Sequence, residues 1–158
     1  MKISSKAHYG LQACFLLARA NGKAVSAKEL EKEIGVSCKY LERIMRTLSN
    51  AGVVKATRGT AGGYYLAKKA DETTAGEIVR ALEDELEIIT CVKNSACNKC
   101  GTSFVWKKLY NGINEVLDGI TLQSMVENDK ANSLAQAHCS SCGLSGSENC
   151  SCFSNNGK

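Results

Sequence analysis

The stretch SAKELEKEIGVSCKYLERIMRTLSNAGVVKATRGTAGGYYL, residues 26–66, decides the fold. It opens on Ser26 with Glu29 three positions on, the Ser-x-x-Glu pattern of a capping box, and predicts a short helix through Leu30 to Ile34. Gly35 permits a sharp turn. Ser37 can then cap a second helix, from about Cys38 to Asn50, that closes at Gly52. Along it Leu41, Ile44, Met45 and Leu48 repeat at i, i+3, i+4 and i+7, which makes one buried stripe. At about 3.6 residues per turn, Lys39, Glu42, Arg43 and Arg46 fall together on the opposite face. Two short helices joined by a glycine turn are a helix–turn–helix.

Residues 53–66 extend the unit. Val53 to Thr57 reads as a strand, Arg58 to Gly63 as a glycine-rich turn, and Tyr64 to Leu66 as a return strand. A helix–turn–helix with a basic-tipped hairpin behind it is a winged helix. Its glycines allow the tip backbone to approach a phosphate ridge, and Arg58 can enter a narrow, strongly negative minor groove. Upstream, residues 4–20 are helix-like, with Leu11, Cys14, Phe15 and Ala18 on one face and Asn21-Gly22 as the stop. Downstream, Thr74 and Glu77 predict a second capping box for a helix that buries Ile78, Val79 and Leu82. A long helix is expected over roughly Ser103 to Ile120. There Trp106, Leu109, Ile113, Val116 and Ile120 recur three and four apart, a seam suited to pairing with another helix or to packing within the monomer. A winged helix favours pairing, because a dimer places two recognition helices one DNA turn apart.

Charge divides the chain. Residues 1–70 carry 13 Lys/Arg against 4 Asp/Glu, and residues 71–158 carry 7 against 12. A basic half joined to an acidic half is the footprint of a polyanion-binding module attached to something else. Neither histidine sits in a catalytic motif, and the Gly59–Gly63 run lacks the Lys-Ser/Thr of a phosphate-binding loop, so an enzyme is not expected. The apolar run Leu11–Ala18 is too short and too polar for a signal peptide, and no run reaches membrane length. A cytoplasmic location is the expectation.

Nine cysteines stand unevenly: Cys14 and Cys38 alone, Cys91, Cys97 and Cys100 together, and Cys139, Cys142, Cys150 and Cys152 near the end. An odd number in tight groups fits metal or redox chemistry better than a secreted disulfide framework. Cys14 and Cys38 read as small hydrophobic packing or surface residues.

Two runs carry a family resemblance. Lys39-Tyr40-Leu41-Glu42-Arg43-Ile44 with Ala51-Gly52-Val53-Val54, then Arg58-Gly59-x-x-Gly62-Gly63-Tyr64-x-Leu66-Ala67, resembles the IscR/NsrR (Rrf-type) family of winged-helix regulators. The opening run from Met1 to Ala7 matches as well, and the similarity extends over about residues 1–127. The resemblance implies a transcriptional regulator that binds a pseudo-palindromic double-stranded DNA operator as a homodimer joined by a long helix. In many members three cysteines before that helix hold an iron–sulfur cluster. By position Glu42 and Arg58 match residues that contact bases and the minor groove, whereas Lys39 stands where a serine is common.

The same resemblance implies that Cys91, Cys97 and Cys100 hold a [2Fe-2S] or [4Fe-4S] cluster, since thiolates are the ligands such clusters favour. The five-residue first gap matches the family, but the two-residue second gap is shorter than usual. Zinc or a bare thiol pair is the alternative occupant. His8 occupies a position where some relatives supply a carboxylate ligand from the partner subunit, so it is a candidate fourth ligand. Cys139, Cys142, Cys150 and Cys152 could form a second, tetrahedral metal site folded only by its metal.

The expected fold is therefore mainly α with a small two-stranded wing. Residues 1–82 are expected to bind DNA, 83–102 to hold the cysteine loop, 103–127 to form the dimerisation helix and its end segment, and 128–158 to be a flexible cysteine-rich tail. The expected DNA-facing residues are Ser26, Lys28, Ser37, Lys39, Tyr40, Glu42, Arg43, Arg46, Arg58, Gly59 and Gly62. A cluster-free or zinc- and thiol-based regulator is the alternative function. An iron–sulfur carrier fits less well, because the cysteines lack ferredoxin spacing and the basic winged helix would go unexplained.

Overall fold

The computed structural model describes residues 3–59, 62–83 and 101–141, with side chains to residue 133. Two units divide the chain, residues 1–126 and 127–158. In the first, α1 (Ser5–Arg19) is capped by Ser4, and Asn21 and Gly22 end it with positive φ angles of 49° and 84°. Helix α2 (Ala27–Ile34) starts in the predicted capping box. Ser26 Oγ accepts from the Glu29 N–H at 3.3 Å, and Glu29 Oε2 accepts from the Ser26 N–H at 2.7 Å. Gly35 closes α2 at φ 79°, and Ser37 caps α3 (Cys38–Asn50). Strands β1 (Val54–Thr57) and β2 (Gly63–Leu66) pair antiparallel, with Val54 opposite Leu66 and Thr57 opposite Gly63.

The hairpin is not free-standing. Val25 and Tyr64 exchange two backbone hydrogen bonds of 2.9 Å, so the residue before the α2 cap forms a third, one-residue rung. A β-carbon on Gly63 would meet the Val25 carbonyl oxygen at 2.6 Å, and glycine there lets the two backbones touch. The wing is thereby fastened to the entrance of the helix–turn–helix.

Helix α4 (Ala75–Leu82) packs on α1 and α3, and buries Ile78, Val79 and Leu82 as predicted. The core they join holds Cys14, Leu17, Leu30, Leu41, Ile44, Met45, Leu48, Val53 and Val54, so the stripe read on α3 is buried throughout. Each Leu, Ile, Val or Met among them contributes about 1.5–3 kcal/mol when removed from water. Thr74 caps α4, but the second capping box is only half formed. Glu77 gives its backbone N–H to Thr74 Oγ1, while its carboxylate turns to Lys68 Nζ at 2.7 Å. A cation nine residues upstream outcompetes the local return bond.

Helix α5 (Ser103–Gly119) has no buried residue. The expected seam is only partly helical: Ile120 follows the helix in extended backbone, and its carbonyl accepts from the Ala75 N–H at 2.8 Å. That bond and a Thr74–Thr121 bridge turn the chain into α6 (Leu122–Ser141), whose first residues Leu122 and Val126 are buried. In the second unit α6 continues to Ser141, through residues expected to be a flexible tail. Ala131, Leu134, Ala135 and Ala137 favour helix there more than the intervening Asn and Ser oppose it. No helix among the described residues is long and apolar enough to cross a membrane.

Candidate nucleic-acid interface

Lys39, Glu42, Arg43 and Arg46 are all exposed, and none of their side chains makes a hydrogen bond or ion pair among the described residues. The buried Leu41-Ile44-Met45-Leu48 stripe holds the other side of α3, so these four charged side chains are presented outward by the core itself. Their backbone is fixed at both ends. Ser37 Oγ accepts from the Tyr40 N–H at 3.4 Å, and Gly52 ends the helix at φ 75°.

A residue absent from the sequence reading also holds the start of α3. Glu31 on α2 accepts from the Cys38 backbone N–H at 3.1 Å and from the Cys38 thiol at 2.8 Å. Those two bonds hold the Glu31 carboxyl below its ordinary range, and the thiol bond, then burial, pushes the Cys38 thiol up. Half-buried Cys38 is thus a structural donor. Glu31 and Cys38 lie seven residues apart across the turn, so no local pattern could have revealed the contact. Lys28 and Glu42 both act electrostatically on Cys38, which places them near the start of the same helix.

Tyr40, expected to face DNA, is half-buried. Its ring stands edge-on to Tyr9 of α1, with centroids 6.1 Å apart. The hydroxyls of Ser26 and Ser37 cap their helices, and Lys28 is exposed. Tyr64, read from the sequence only as a strand and motif residue, stands on β2 opposite Ala56. Burial and then the Glu42 charge push its phenol up, opposed by Arg46, so it feels the charged face of α3.

Arg58 and Gly59 are exposed just after β1, and Gly59 has φ 120°. Gly62 returns the chain by donating its N–H to the Gly59 carbonyl at 2.9 Å. A β-carbon on it would lie 2.6 Å from the Thr57 carbonyl oxygen.

Cys91, Cys97 and Cys100 lie outside the described residues, as do Cys142, Cys150 and Cys152. Cys139 falls within α6, beyond the described side chains. No group of metal-binding side chains occurs among the described residues. His8 is exposed on α1, with its ring edge-on to Tyr9 at 5.2 Å. The start of α1 is tied to the end of α4: Glu83 Oε1 accepts from the Ser4 N–H at 2.8 Å, and Lys6 Nζ donates to the Leu82 carbonyl at 3.0 Å.

The Rrf2 family model, described as an iron-dependent transcriptional regulator, matches residues 3–128. The chain belongs to the Rrf2 family of transcriptional regulators. Among similar proteins, the HTH-type transcriptional regulator CymR of Bacillus subtilis is 36% identical over 126 residues, 79% of this chain and 89% of CymR. The solved structure of CymR, described as the global cysteine regulator of B. subtilis, aligns with a TM-score of 0.70 at 34% identity, over 81% of this chain and 98% of that one. The structure of T. potens IscR aligns with a TM-score of 0.66 at 40% identity, over 82% of this chain and 88% of that one. These Rrf2 relatives are named as regulators, and the winged-helix fold expected for this chain is theirs.

Proposed function

We propose that this Rrf2 protein is a cytoplasmic homodimer that grips a pseudo-palindromic operator with α3 and the wing. We further propose that its operator affinity is set by an iron–sulfur cluster, [2Fe-2S] or [4Fe-4S], responding to iron, redox state or nitric oxide. The observation that carries the DNA-binding half is the charged face of α3, exposed and without hydrogen bonds or ion pairs among the described residues while its opposite side is buried. Lys28, Lys39 and the capped helix starts at Ser26 and Ser37 position the protein on phosphates. Glu42, Arg43 and Arg46 meet base edges in the major groove. Arg58, between its strand and Gly59 and Gly62, enters the adjoining minor groove. Each bidentate base contact supplies roughly 1–3 kcal/mol of discrimination. Tyr40 supports this face through Tyr9. Support for the homodimer comes from α5, where Phe104 and Val116 are 70% and 62% exposed and Leu109 is also exposed. A second copy covers them.

Cys91, Cys97 and Cys100 would hold the cluster, with His8 of the partner subunit as fourth ligand. Three thiolates within ten residues and one imidazole are a donor set that iron–sulfur clusters use. His8 is exposed and has no side-chain hydrogen bond among the described residues. A bound cluster supplies one-electron redox chemistry and iron that oxygen or nitric oxide can attack. Ser4 and Lys6 tie α1 to the point where the chain leaves α4 for the cysteine segment. The likeness to CymR favours a second reading, a cluster-free regulator using thiols or zinc. In either reading Cys139, Cys142, Cys150 and Cys152 are a candidate second metal site.

Anaerobic purification separates the two readings. The first predicts brown protein containing iron and sulfide, which selects an inverted-repeat duplex from a random-sequence library. Colourless protein with stoichiometric zinc, or with no metal, moves the assignment to the second reading and leaves DNA binding intact.

A further inference from the structure

Helices α4 and α5 meet along a strip whose contacts fall in antiparallel register. The strip begins at the 2.8 Å bond from the Ala75 N–H to the Ile120 carbonyl. One position on, Gly76 faces Asp118. One turn further along α4, Arg80 reaches back: its Nη1 donates to Asn114 Oδ1 at 3.0 Å, and its Nη2 pairs with Asp118 Oδ1. Asn114 is oriented in turn by donating through Nδ2 to the Tyr110 carbonyl at 2.8 Å. Gly76 makes room for this arrangement. A β-carbon there would run into Asp118 Oδ1 and lie 2.8 Å from Arg80 Nη2.

The placement matters because, among the described residues, α5 sends no fully buried side chain into the core, while its contacts with α4 run along this strip. The Arg80 and Asp118 side chains are 41% and 49% exposed, and exposed ion pairs contribute little to stability. Direction is a different matter. Helix α5 is 17 residues long, about 25 Å at 1.5 Å per residue. A tilt of roughly 10° over that length moves its far end by about 4 Å, close to the ~3.4 Å rise of one base pair.

We propose that Arg80, with Asn114 and Asp118, is a latch that sets the direction of α5 against the DNA-binding unit and so sets the separation of the two recognition helices. The latch rests on the reading of α5 as the dimer helix. Arg80 is a positioning residue, and Gly76 is the space that lets it close.

The test uses the full chain and one duplex that the wild-type protein selects from a random library, with versions one base pair longer or shorter between the half-sites. Wild type prefers the selected spacing. Arg80→Ala and Gly76→Ala each reduce that preference by roughly 2- to 5-fold, with no fall in the unfolding midpoint, whereas Arg80→Lys retains much of it. Gly76→Ala leaves every charge in place and improves helix propensity, so it separates the latch from loss of a cation. An unchanged preference in both variants overturns the proposal. So does a uniform loss of affinity with Arg80→Ala while Gly76→Ala is silent, since Arg80 is then a phosphate contact. If the wild-type chain is monomeric, or selects no duplex, the proposed function fails first and the latch fails with it.

Discussion

A β-carbon at position 62 would lie 2.6 Å from the Thr57 carbonyl oxygen and 2.8 Å from that of Gly59. Both obstacles are backbone, so nothing flexible can yield. Gly62→Ala should therefore distort the wing tip at a local cost of about 1–3 kcal/mol. The expected outcome is weaker operator binding by anisotropy with an intact helical circular dichroism spectrum; unchanged affinity would separate the tip from DNA. Cys14 makes the opposite kind of claim. Burial, then the Glu77 charge, pushes its thiol up to about 12 from an ordinary 9.0. The neutral thiol is favoured by the fold, so its contribution is complete below pH 9.0 and lost as pH climbs toward about 12. In native protein, iodoacetamide should leave the tryptic peptide of residues 7–19 unmodified, and it should label that peptide in denaturant. Denaturant midpoints should fall between pH 8 and pH 10 for wild type, and the Cys14→Ala variant should lose this component of the fall. A lone apolar-flanked cysteine read as packing was legible in the sequence. The interactions of Glu31 with Cys38 and of Tyr64 with the α3 charges were not, because the tertiary fold alone brings those partners near.

Elements whose signals lie within three or four residues were read closely. The Ser26–Glu29 box, the Gly35 turn and the Ser37 cap stand where the sequence puts them, because each satisfies helix-end groups from its own neighbours. Ser37→Ala should cost about 1 kcal/mol, seen as a lower thermal midpoint and weaker operator binding together. The hydrogen bonds from Ser26 hold the Glu29 carboxyl below its ordinary value of 4.5. A depressed carboxyl stabilises the fold above its unfolded value, and that contribution disappears as pH falls through the folded one. Thermal unfolding should lose this component as pH drops below about 4.5, while Glu29→Gln should lack it at every pH. Three elements escaped the sequence reading for one physical reason. The diverted Glu77 carboxylate, the extended Ile120 and the buried start of α6 at Leu122 depend on partners 9, 45 and 49 residues away, at Lys68, Ala75 and Thr73. Periodicity carries no record of such distances.

Across the chain, the charge division and the fold agree. The basic first 70 residues build the winged helix, and the exposed apolar face of α5 lies in the acidic remainder. The family was legible because its motifs sit in the wing and on α3, where backbone geometry and exposed charge leave few choices of residue. How α5 is held was illegible, since Arg80 and Asp118 are 38 residues apart. Membership of the Rrf2 family is shown by sequence and by structure, whereas the DNA-facing residues are an inference from exposure and charge. The direct test is an equilibrium titration of one library-selected duplex with wild-type protein and with Arg58→Ala. Loss of a minor-groove arginine should weaken binding by about 1–3 kcal/mol, or roughly 5- to 150-fold, with the unfolding midpoint unchanged. Equal affinity in the two proteins would contradict the placement of the wing on DNA.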